Sequence, residues 1–243
     1  MFPQQVGAMW FLAGAHMTQG NPRPAISILE NLISLYGRRE DSALGFEDLV
    51  IAPEAILEAL GKCFAAIGSW ERASFAFASA LAQNSDLVGL PDRLVDSLEK
   101  LARPDLAIRV LRIVKDGGTR DTRVLCYLAM NEYQKNHCAD ALETLERVLV
   151  VDPLNPVALS WKALWSLRTK DVATTDSVLR FAREHDVTTE DLDRCAFELA
   201  LAEEHFADAL AKLEGIEHLY SPQDFEALTL KVSRLAKRES SMS

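Results

Sequence analysis

A chain of 243 residues, 49% hydrophobic and 26% charged, is long enough for one large domain or two small ones and has an ordinary globular composition. Its formal net charge of -10 at pH 7 repels phosphate backbones and anionic lipid headgroups, which argues against nucleic-acid and membrane-surface binding. No apolar run is long enough to span a bilayer, and the opening Met1-Phe2-Pro3-Gln4-Gln5 lacks the basic start of a secretion signal, so a cytoplasmic protein without membrane insertion is expected.

Ala and Leu dominate, and only nine Pro and eleven Gly interrupt them, which favours helix over sheet. The first predicted helix pair carries Leu12 and Ala13 in its first member and, after Gly20, Ala25, Leu29 and Leu32 in its second. A charged stretch follows, and residues 38–51 read as an insert loop before Pro53, a residue suited to the first turn of a helix. The second pair brings Leu60 and Gly61, then Ala73, Phe77 and Ala80. From there the pattern recurs every 34 residues: Ala107, Leu111 and Val114; Ala141, Leu145 and Val148; Thr175, Leu179 and Ala182; Ala209, Leu213 and Ile216. Steps of four and three place each trio on one helical face.

Thirteen residues before each leading Ala or Thr stands a second position predicted to be buried, filled by Leu60, Leu94, Leu128, Lys162 and Ala196. The residue after it is small in Gly61, Ala129 and Ala163, so two short antiparallel helices can approach closely there. Lys162 and Thr175 make the fifth copy degenerate. After Pro222, the apolar residues Phe225, Leu228, Val232 and Leu235 predict a final capping helix over about 223–236, with a disordered tail at 237–243.

The pattern resembles the tetratricopeptide repeat family. The second copy carries Leu60, Gly61, Phe64, Gly68, Trp70, Ala73, Phe77 and Ala80 where that family places its consensus residues, and Asp152-Pro153 matches its usual inter-repeat turn. The resemblance implies an all-α, right-handed α-solenoid of about six two-helix repeats, forming a single domain over residues 1–236. It also implies a concave face lined by the first helix of each copy. At the family's concave positions stand Trp10 and Met17 in the first copy, Asp92, Asp96 and Glu99 in the third, Met130 and Tyr133 in the fourth, and Leu164 and Leu167 in the fifth. Glu58, Lys62 and Arg123 fall on the same register. Met and aromatic residues there suit a partner-binding groove crossed by an acidic band. Trp10 and Gly14 stand where some family members carry the Lys and Asn that grip a terminal carboxylate, so that ligand is not expected.

Nothing in the chain reads as catalytic, cofactor-binding or metal-binding chemistry. The histidines at 16, 137, 185, 205 and 218 form no His-x-x-x-His pair, and Gly117-Gly118 is a turn with no Lys-Ser/Thr after it. Cys63, Cys126, Cys138 and Cys195 form no Cys-x-x-Cys pair and read as free thiols. The expectation is therefore a non-catalytic scaffold or adaptor that binds a protein or peptide partner in a multi-subunit complex. A dedicated chaperone for a secreted or aggregation-prone client is the alternative.

Overall fold

The computed structural model describes residues 3–37 and 51–242, so the expected insert loop falls, except for Ile51, outside the described residues. No strand occurs among the described residues. The helices follow one another in twos across short turns: α1 (Pro3–Thr18) and α2 (Pro22–Gly37), α3 (Pro53–Ala66) and α4 (Trp70–Gln83), α5 (Leu90–Leu101) and α6 (Pro104–Asp116), α7 (Thr122–Gln134) and α8 (Cys138–Val151). There follow α9 (Pro156–Arg168) with α10 (Val172–Glu184), and α11 (Glu190–Ala202) with α12 (Phe206–Gly215). A 3-10 turn at Glu217–Leu219 then leads into α13 (Pro222–Met242). The chain divides into two compact units, residues 1–141 and 142–243.

The 34-residue phase is the core. The three apolar positions of the second helix of every copy are buried, and the least buried of them, Leu179, is 7% exposed. In the first unit α3 packs on α4, and α4 on both α5 and α6; in the second, α9 packs on α10 and α11, and α11 on α12. The two departures of the fifth copy have local solutions. Thr175 is fully buried because its hydroxyl donates to the Asp171 carbonyl at 2.8 Å. Lys162 extends its ammonium to the Glu146 carboxylate at 2.6 Å. In the first copy the expectation is corrected by one residue. Ala13 is fully buried, whereas Leu12 is 51% exposed.

The turn inside each pair obeys the same period. Gly20, Gly68, Ala102, Asn136, Lys170 and Glu204, each five residues before the leading core residue, all have positive φ between 50° and 74°. This left-handed residue reverses the chain and lets the next amide return to the helix end, as Ser69 N does to Phe64 O at 2.8 Å and His205 N to Ala200 O at 2.8 Å. The helices entering the later copies are capped by side chains. Asp121, Asn155 and Thr189 each accept the amide three residues on.

The closing helix packs Val232 against α12, with Phe225 and Leu228 beside it. It runs to Met242, past the end expected at 236, and no Gly or Pro stands between Lys237 and Met242 to stop it.

None of the four cysteines is in a disulfide; Cys63 and Cys195 are buried, Cys126 and Cys138 partly exposed. Burial raises the Cys63 thiol, and burial followed by the Glu198 carboxylate pushes Cys195 up to about 12. A thiol held protonated and out of solvent is a poor nucleophile. Iodoacetamide at pH 8 should therefore alkylate Cys126 and Cys138 in the folded protein and reach Cys63 and Cys195 only on unfolding. Peptide mapping of a timed reaction checks this; early modification of Cys195 would contradict it.

Candidate functional site

The site begins with the composition of α1. Between Pro3 and Thr18 it carries no Asp, Glu, Lys or Arg. Val6 and Ala13 turn inward, Trp10 and Met17 are half-buried, and Phe11 is left 78% exposed. A helix that is apolar on nearly every side is usually buried all round, and this one is not.

Beside it, α1 and α3 bound a pocket of 520 Å³. Trp10, Gly14 and Met17 line it from α1, Ala59 from α3, and Leu29 of α2 closes the base. At its edge the Glu58 carboxylate and Lys62 ammonium pair at 2.5 Å, so the only two full charges on the lining neutralise each other. The open volume has a simple origin. A Cβ placed on Gly14 would meet nothing within 4 Å, so the missing side chain leaves room for a ligand's. Trp10 and Met17, assigned to the groove from sequence, thus line one site, together with Glu58, Lys62 and Gly14 on the same repeat register.

The acidic residues of α5 are differently placed. Asp92, Asp96 and Glu99 are all exposed, but Arg123 of α7 pairs with Asp92 and lies 3.9 Å from Asp96. The expected acidic band is therefore a carboxylate cluster with a guanidinium set into it. Glu99 acts on a neighbour on α7: burial first, then the Glu99 charge, raise the Tyr127 phenol. Met130 and Tyr133 are half-buried on α7, which packs on α5.

Leu164 and Leu167 belong to the second unit. Leu167 packs against the core there as a half-buried residue, and Leu164 is buried, 8% exposed. The expectation of an exposed groove residue at Leu164 is corrected. With α9 packed on both α10 and α11, that register turns inward in the fifth copy.

One polar constellation escaped the sequence reading. The Glu132 side chain is fully buried on α7, and Arg112 of α6 donates to its Oε1 from Nε at 3.0 Å and from Nη2 at 2.9 Å. The same guanidinium reaches Asp140 at the start of α8 at 2.5 Å. The Glu132 hydrogen bond is the largest contribution raising the Arg112 guanidinium above its ordinary value. The visible cue was a glutamate at a phase held by Phe64, Leu98, Ser166 and Ala200 in the second, third, fifth and sixth copies, all buried. The arrangement holds helices and offers no reacting group.

Among the described residues no cluster of His, Cys, Asp and Glu is arranged to hold a metal ion, and no helix is long and apolar enough to cross a membrane. No family model and no curated protein matches the sequence. Among solved structures, the fold is similar to that of PilF from Pseudomonas aeruginosa, with 17% identity over 92% of this chain and 97% of that one and a TM-score of 0.51. It is also similar to the C-terminal part of a TPR repeat-containing protein from Cytophaga hutchinsonii, with 15% identity over 89% of this chain and 98% of that one and a TM-score of 0.53. At such identities the likeness concerns the backbone and says nothing of ligands. The paired helices, their 34-residue phase and these two structures agree: the chain has an all-α fold of the tetratricopeptide type.

Proposed function

We propose that the protein is a non-catalytic interaction scaffold or adaptor that receives an apolar side chain of a partner's helix or peptide in the pocket between α1 and α3, within a larger cytoplasmic assembly. The observation that carries this reading is the open, largely apolar pocket at Gly14, on the register where two-helix repeats of this kind face their ligands. Trp10 and Met17 supply a wall that can adapt to an incoming side chain. The Asp92–Asp96–Glu99 cluster favours a segment with basic residues beside its apolar anchor and acts mainly on the rate of approach.

Burying one large apolar side chain contributes about 1.5–3 kcal/mol, so filling the pocket should cost roughly ten- to a hundredfold in affinity. Gly14→Phe places a ring in that space, starting from a position where a Cβ meets nothing within 4 Å. Affinity purification from the source cells, quantified by mass spectrometry, should return a stoichiometric partner with the wild type and lose it with Gly14→Phe. Asp96→Lys should slow association and change its salt dependence, while Tyr133→Ala should weaken the complex by about 1–3 kcal/mol if that ring anchors the same segment. A partner retained in full by Gly14→Phe, with the helical spectrum unchanged, would overturn the reading.

A further inference from the structure

The α1 face holds a knob and a hole side by side. Phe11 projects into solvent, 78% exposed, at the rim of the pocket it helps to line. Gly14 lies three residues on, on the same side of the helix, with open space above its Cα. Two copies of α1 crossing antiparallel about a twofold axis between these residues would set each Phe11 over the other copy's Gly14. Such an arrangement satisfies both copies with one contact, as an isologous interface requires.

Charge selects the same occupant. The chain as a whole carries -10, so two copies repel over most of their surface. α1 carries neither acidic side chains nor Lys or Arg, and the adjoining Glu58 and Lys62 neutralise each other. A second acidic copy therefore meets no charge repulsion from α1 itself.

We infer that the protein self-associates through α1 as a twofold dimer in which Phe11 of each copy enters the α1–α3 pocket of the other. The inference rests on the same pocket as the proposed function, and the two uses exclude each other: a partner side chain in the pocket displaces the second copy. The contact is small. A helix of 16 residues is ~24 Å long and ~10 Å wide, well below the ~800 Å² per partner of a stable interface. The dimer is accordingly weak and concentration-dependent.

Sedimentation velocity on the full chain between about 5 and 500 µM tests it. The wild type should shift from monomer toward dimer across this range. Phe11→Glu should remain monomeric with an unchanged melting temperature, because the side chain is largely in solvent. Phe11→Ser serves the same purpose without adding charge, and Gly14→Phe should also remain monomeric because the hole is filled. A wild type that stays monomeric throughout, its α1 face then being left to another protein, would overturn the proposal. So would a dimer that survives both Phe11 variants and Gly14→Phe. Partner retention is scored separately: a monomeric wild type that still loses its partner on Gly14→Phe removes the dimer and leaves the proposed function standing. A dimer with the expected variant pattern and no Gly14-dependent partner does the reverse.

Discussion

Gly61→Ala should lower the urea midpoint of the protein, against the usual direction for glycine replaced within a helix. Gly61 lies in the middle of α3, where Ala in place of Gly ordinarily stabilises by about 1 kcal/mol. Here a Cβ would fall 2.2 Å from Cε1 and 2.3 Å from Cδ1 of Phe77 on α4. That ring cannot swing into solvent, because Phe77 is only 1% exposed and lies within the core. Overpacking of this kind costs about 1–3 kcal/mol, which offsets the propensity gain and sets the sign. Gly61→Val, with two further methyl groups and a stiff χ1, should fall at the upper end of that range or beyond. The coupling is testable in the same pair. Phe77→Leu should be less damaging in the Gly61→Ala background than in the wild type, because the smaller side chain makes room for the new methyl. A raised midpoint for Gly61→Ala would show that α3 and α4 do not approach as closely as this.

The same pair shows what the sequence made legible. Offsets of four and three on a 34-residue period identify the buried trio of each second helix without reference to neighbours, since one face of that helix is enclosed in every copy. Even Thr175, a polar residue at a small apolar position, kept the phase. The first helices are harder to read, because their faces are completed by the next copy. One residue turns a helix by about 100°, which separates buried Ala13 from exposed Leu12. Leu164 and Met130 share a register, yet the former is buried and the latter is half-exposed. Of the site itself, Trp10 and Met17 could be named from their register. The pocket could not, because it consists of space that Gly14 fails to fill, and absence has no periodicity. The acidic residues were legible and their counter-ion less so: Arg123 lies 31 positions after Asp92, on a different helix, and only packing brings them together.

The largest expected loss comes from the buried carboxylate on α7. Arg112→Met should destabilise the protein by about 3 kcal/mol, because it takes away the guanidinium that faces a side chain with no solvent exposure. The exposure is asymmetric, with Glu132 at 0% and Arg112 at 42%, so the energetic weight lies with the acid. An exposed ion pair would give no such loss. Arg72 with Glu30, which joins the first two copies with the charges exchanged (Glu30 at the position of Arg112, Arg72 at that of Asp140), is exposed at both ends, and Arg72→Met should cost under about 1 kcal/mol. Asp140→Asn should likewise be mild, since Asp140 is half-exposed on the outer side of the guanidinium. The decisive comparison is Arg112→Met combined with Glu132→Leu. A well-packed apolar pair in place of a buried ion pair is often neutral or stabilising, and the two preceding copies already hold Phe64 and Leu98 at the Glu132 phase. The double variant should therefore regain most of what Arg112→Met loses. Urea denaturation at pH 7 of the two single variants and the double gives the coupling directly. If Arg112→Met melts like Arg72→Met, the buried carboxylate does not depend on the guanidinium, and this account of how α6 and α7 are held is wrong.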